Sequence, residues 1–221
     1  MTESAISRIG AATGVASVVV TFIGFGVHGA LPTDTTAAAV QTYVNGVSES
    51  QAGIGNYLEL LGYLLFLAFA AYLYAVGRAG GTNSLHWVNV LGLAAAITYI
   101  AVSAFAIAGQ VLMVNWAKAG ADPKTVLGAY MLDSAAFTLS FEIAALFLVA
   151  IGILLWNRPI ALRLIGASGM FVGLLLFVTG LIGTASIQSS VSQIGYMVFS
   201  LWTLIAAISL LIRPAPIART A

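Results

Sequence analysis

No cysteine occurs among the 221 residues of this chain. That absence excludes disulfides, thiolate nucleophiles, Cys-ligated metals and a lipoprotein anchor. Charge is nearly as scarce: Asp, Glu, Lys and Arg make up 7% of residues, against about 25% in a soluble domain. So few charges cannot cover a water-facing surface. With 61% of residues hydrophobic, the solvent over most of the chain's area is expected to be lipid. The formal net charge of +1 implies neither nucleic acid nor an acidic partner. Histidine is limited to His28 and His86. A Ser/His/Asp group, an HExxH motif, a paired-Asp motif and a glycine-rich phosphate loop are all missing. No catalytic residue is assigned, and an enzyme is the least supported class.

What is present is apolar sequence in long runs. These predict an all-α fold, a polytopic bundle of six transmembrane helices over roughly 9–31, 55–77, 88–114, 132–156, 160–184 and 191–212, since about 20 residues cross a ~30 Å hydrocarbon core. Helices are expected because lipid offers no partner to an unpaired backbone N–H or C=O. The whole chain, 1–221, reads as one transmembrane domain. Span 1 is read as retained, because its apolar run exceeds the ~7–15 residues of a signal peptide and a single basic residue precedes it.

Six spans put all six arginines on one side: Arg8, Arg78, Arg158, Arg163, Arg213 and Arg219. The other side carries Lys118 and Lys124 beside Asp34, Glu49 and Asp122. Positive residues mark the cytoplasm, so both termini are expected inside, with the chain multi-pass in the plasma (inner) membrane. Between spans 1 and 2 an outer segment offers Thr33 or Asp34 as a helix cap, with Ala37, Val40, Val44 and Val47 on one face. It predicts a short interfacial helix resting on the outer surface, either a strap or a lid. RAGGTNS at 78–84 reads as a flexible inner loop, and Asn157-Arg158-Pro159 as a tight turn.

Small and polar residues recur at helical spacing within the spans. Span 3 has Asn89, Gly92, Ala96, Tyr99, Ser103, Ala106 and Gln110; span 6 has Gln193, Tyr196, Ser200, Thr203 and Ala207. Span 2 has Asn56, Glu59, Tyr63, Phe66 and Ala70, and span 1 has Ser17, Thr21, Gly24 and His28. Span 4 has Ala135, Thr138, Glu142, Ala145 and Val149. Gly166, Gly169, Gly173 and Gly180 line one face of span 5, as expected of a helix-packing or dimer face.

These stripes predict a ligand or proton pocket built from Glu142, Glu59, His28, Tyr63, Tyr99, Gln110, Gln193 and Tyr196, narrowing inward from the outer face. Glu142 would form its floor at a depth of about 15 Å. A carboxylate there costs on the order of 3 kcal/mol, and no Lys or Arg lies within any span core. Glu142 therefore bridges helices as a neutral acid, serves as a proton carrier or ligand anchor, or snorkels from a lipid-facing position, which fits such depth poorly. Asp133, half a turn round the helix from Glu142, reads as a residue at the helix start that favours the dipole. His28 and Glu59 would form a proton-sensitive pair if spans 1 and 2 touch. No cofactor is expected. The two histidines lie near opposite faces and cannot both ligate a haem, and His28, Glu59 and Glu142 are spread over too much depth for zinc.

Three segments, LELLGYLLFLAFAAYLYAVGR, LDSAAFTLSFEIAALFLVAIGILLWNRP and RLIGASGMFVGLLL, resemble an uncharacterised, actinobacterial-type family of six-span integral membrane proteins, a domain of unknown function. NRPIALR stands where that family has a basic-proline-aromatic turn. The resemblance implies an integral membrane protein and no catalytic residue. Taken together, the expectation is a small transporter or ligand-binding membrane protein with an outward-facing polar pocket. Its partners would be the bilayer, a small-molecule or cation ligand, and a homo-oligomer or membrane partner. The alternative is a non-catalytic partner or assembly subunit that uses the span 5 glycines.

Overall fold

The computed structural model describes residues 2–79, 85–186 and 189–216. Most of the 78–84 loop, and Arg219, lie outside them. Seven helices and no strand occur among the described residues: α1 (Glu3–His28), α2 (Ala37–Gly46), α3 (Glu49–Arg78), α4 (His86–Lys118), α5 (Pro123–Leu155), α6 (Ile160–Ser186) and α7 (Ser189–Ile212). All but α2 are long and apolar enough to cross a membrane.

Local chemistry explains where the helices begin. The Thr2 hydroxyl accepts from the Ala5 amide at 3.3 Å, so α1 starts well before the apolar run. Ser48 and Gln51 form a reciprocal capping box at α3. Asp122 accepts from the Lys124 and Thr125 amides at 2.9 and 3.3 Å, with Pro123 in the first turn of α5. That start lies nine residues before the one expected, and it makes Asp133 an interior residue of the helix rather than a terminal one.

The six long helices close a ring in which α1 packs on α3, α3 on α4, α4 on α5, α5 on α6, α6 on α7, and α7 returns to α1. Helix α5 also touches α2, α3 and α7, and is the most buried of the six. The centre of the ring is aromatic. Phe66 meets Tyr99, Phe147 and Phe199 edge-on, at centroid distances of 5.6, 5.5 and 5.4 Å. This geometry favours opposed ring edges and faces.

Helices α4 and α5 have 33 residues each, or about 50 Å, and outrun a ~30 Å hydrocarbon core. Their excess length carries α2. Val40 and Val44 are fully buried in a cluster with Ala52, Met113, Val114, Val126, Ala129 and Tyr130. The apolar face of α2 thus rests on protein rather than on the membrane surface. Its cap is Thr36, whose hydroxyl accepts from Ala39, and not Thr33 or Asp34.

The α6 glycines are divided between two neighbours. A Cβ on Gly166 would lie 2.9 Å from Leu155 Cβ, and one on Gly173 would lie 3.1 Å from the Ala145 carbonyl, both on α5. A Cβ on Gly169 would meet Trp202 of α7 at 3.1 Å, and one on Gly180 would meet Glu142 Cγ at 3.0 Å.

Candidate functional site: a cavity at one end of the bundle

Two close helix crossings build the site. In the first, α1 and α3 approach through glycine. A Cβ on Gly55 would lie 2.7 Å from His28 Cδ2 and 2.9 Å from the Gly24 carbonyl. A Cβ on Gly24 would lie 2.7 Å from the Gly55 carbonyl. With no side chain in the way, His28 at the last turn of α1 reaches Glu59 on α3, and its Nε2 bonds Glu59 Oε1. Both side chains are 2% exposed.

The other ring nitrogen settles the proton count. His28 Nδ1 lies 2.7 Å from the Gly29 carbonyl, which can only accept, so Nδ1 carries a proton. Nε2 and Oε1 then share a second proton, whichever atom holds it. The pair is either imidazolium with carboxylate or imidazole with carboxylic acid, and its total charge is zero in both forms.

The second crossing joins α4 to α5. A Cβ on Gly109 would meet the Asp133 amide nitrogen at 2.9 Å and Asp133 Cβ at 3.0 Å. The bare backbone lets the next residue, Gln110, donate from Nε2 to Asp133 Oδ1 at 3.2 Å. Asp133 is 3% exposed. Its second oxygen has no hydrogen-bond partner among the described residues.

Between the two crossings lies a cavity of about 380 Å³, within the size range of small-molecule sites. Its polar groups are His28, Glu59, Tyr63, Ser103, Gln110, Asp133, Gln193 and Tyr196. The rest of the wall is apolar, led by Phe22, Phe25 and Phe137. Tyr196 stands among these rings, 5.4 Å from Phe25 and 5.7 Å from Phe137. Gln193 and Met197, both exposed, stand at the rim. No Lys or Arg lines the cavity among the described residues. No grouping of three metal-binding side chains occurs among them either.

All the lining residues come from one end of the bundle. They sit in the last part of α1 and the connection after it, the first part of α3, the last part of α4 and the first parts of α5 and α7. The described arginines sit at the opposite helix ends. Inward, Tyr63 and Tyr196 also border a second void of about 20 Å³ that reaches Tyr99, Phe66, Phe199 and Thr203. The Phe66–Tyr99–Phe199 cluster therefore blocks passage along the axis.

Six of the eight residues expected in the pocket do line it: Glu59, His28, Tyr63, Gln110, Gln193 and Tyr196. Two do not. Tyr99 borders only the lower void. Glu142 is half-buried on the far side of α5, beside Gly180, and forms no floor. The acid in the cavity is Asp133, nine residues earlier and half a turn away. The short apolar and aromatic walls from Phe22, Phe25 and Phe137 were also missed. For Asp133 and Phe137 the signal lies in the spacing of Val126, Tyr130, Asp133, Phe137 and Phe141 on α5, with a helix start at Asp122-Pro123; Phe22 and Phe25 lie on α1 beside its polar stripe.

The strap over this end is tied to the same residues. Tyr43 on α2 donates to the His28 carbonyl at 3.2 Å. Tyr130 on α5 donates to the Pro32 carbonyl at 2.5 Å. Burial holds the Tyr43 phenol in its neutral form up to about 12, helped by the nearby Glu59 and Asp133 carboxyls.

Compared with protein families, with curated proteins and with solved structures, the chain matches none.

Proposed function

We propose that this is a multi-pass membrane protein of the plasma membrane that binds a small molecule in the cavity between α1, α3, α4, α5 and α7, and that the cavity is the substrate site of a small transporter. One observation carries the reading: a cavity of about 380 Å³ with an apolar wall and a few buried polar groups, open at one end and closed at the other by an aromatic cluster. Binding sites have this composition, and buried ionisable groups in membrane helices mark substrate or ion pathways. A site accessible from one side and plugged toward the other is half of an alternating-access cycle. The arginines at the opposite end support reading the open side as the outer one.

The assembly-subunit alternative would use the glycine face of α6. Those glycines already receive Leu155, Ala145, Trp202 and Glu142 of this same chain, which favours the cavity instead.

The absence of cysteine makes the test direct. Ala106→Cys introduces one thiol at a lining position. A membrane-impermeant thiol reagent is expected to label it in intact cells and not in inside-out vesicles. Labelling from the cytoplasmic side alone would overturn the outward orientation. A thiol inert to every reagent, small and neutral ones included, would overturn the cavity as a ligand site.

A further inference from the structure

The geometry points to an organic cation with an apolar or aromatic body as the ligand class, its charge held by Asp133; this rests on the cavity being a ligand site. Three observations converge on it.

The first is the charge count. The His28–Glu59 pair is neutral as a unit, because one proton is shared between Nε2 and Oε1 while Nδ1–H is directed to Gly29. No Lys or Arg reaches the cavity among the described residues. Among the described residues that line the cavity, Asp133 is therefore the charge-bearing group without a counter-charge.

The second is the unfilled valence of that group. Asp133 is 3% exposed, and Gln110 occupies a single oxygen. Its other oxygen accepts from nothing among the described residues, although the residue lines the cavity. That oxygen is not among the fully enclosed unpartnered atoms of the fold, so it opens to the cavity, where an occupant decides whether it keeps a partner. An ammonium group would satisfy it. A neutral apolar ligand would seal it from water without a partner, and an anion would face it directly.

The third is the wall. Phe22, Phe25, Phe137 and Tyr196 place ring systems around the same space. Aromatic faces attract cations and bury apolar bodies at once.

The test uses the single thiol of Ala106→Cys in the purified, otherwise full-length protein. Three methanethiosulfonates are compared: trimethylammonioethyl (cationic), methyl (neutral) and sulfonatoethyl (anionic). Each forms a mixed disulfide with the thiolate and releases methanesulfinate. Rates are divided by those for a free thiol in water. The cationic reagent is expected to exceed the anionic one by roughly tenfold or more. Asp133→Asn is expected to abolish that ratio, and Asp133→Glu to keep it. Benzyltrimethylammonium is expected to protect the thiol from the neutral reagent, and to lose that protection in Asp133→Asn.

The neutral reagent separates the two possible failures. If it reacts while the cationic and anionic rates are equal, or while Asp133→Asn leaves the ratio unchanged, the ligand class is wrong and the cavity stands. If no reagent reacts, the cavity itself is closed and the reading beneath fails. The neutral rate in Asp133→Asn, matched to that of the parent, certifies that the variant is folded.

Discussion

Gly55→Ala measures how much the His28–Glu59 pair depends on bare backbone. The added Cβ would sit 2.7 Å from His28 Cδ2, 2.9 Å from His28 Cβ and 2.9 Å from the Gly24 carbonyl. Non-bonded carbons prefer about 3.5–4.0 Å, so the deficit is close to an ångström. The carbonyl belongs to α1 backbone and cannot step aside, so the two helices must part. Overpacking of this kind costs about 1–3 kcal/mol. The same substitution also gains up to about 1 kcal/mol of helix propensity, which would mask part of the loss. Gly53, two residues earlier on α3, supplies the correction: nothing lies within 4 Å of a Cβ there. Gly53→Ala should be neutral or stabilising. The difference between the two variants should then be about 1–3 kcal/mol, the overpacking term alone. The assay is reversible unfolding in mixed micelles titrated with denaturing detergent and followed by tryptophan fluorescence. Equal stability of the two variants would refute the claim that glycine contact sets the α1–α3 distance.

Other outcomes follow from single contacts. Glu142→Leu should leave Ala106→Cys labelling unchanged and stabilise the fold by up to about 3 kcal/mol, since a carboxyl in mid-membrane is costly; loss of labelling would return Glu142 to the site. Val44→Asp places an unpaired charge at a fully buried position and should cost about 3–5 kcal/mol, read as lost hydrogen-exchange protection across α2; retained protection would contradict the packing of α2 on α4 and α5. Tyr43 titrates at about 12 when folded and at about 10 when unfolded. Between those values the unfolded chain has lost a proton that the folded one keeps, so stability falls as pH rises through that window. Tyr43→Phe should flatten that slope, and an unchanged slope would place the phenol in water.

Much of the site could be seen in residue spacing. Every member of the α4 stripe, from Asn89 to Gln110, is buried, as are all of the α3 and α1 stripes. These helices have one protein-facing side and one lipid-facing side, so a helical period reports the division. The α5 stripe followed the outward side of its helix instead. Helix α5 is enclosed on most of its circumference by α2, α3, α4, α6 and α7. Ala135 and Val149, placed on the inward face by spacing, are exposed, and Glu142 is half-buried. Leu132, Ala135, Leu139, Leu146, Val149 and Ile153 share that exposed face at helical spacing, so a period is present on α5, but it marks the outward side rather than the cavity.

By itself the sequence determined the solvent and the architecture. Scarce charge and six long apolar runs require lipid-embedded helices, whose backbone groups must pair internally, and this is a local property of composition and length. The tertiary structure decided which acids meet the cavity. That depended on the rotational setting of α5, fixed where Gly109 lets α4 close on Asp133, and on the α1–α3 distance, fixed by Gly24 and Gly55. Both are relations between helices distant in sequence, and steric fit at a few ångströms sets them rather than hydropathy.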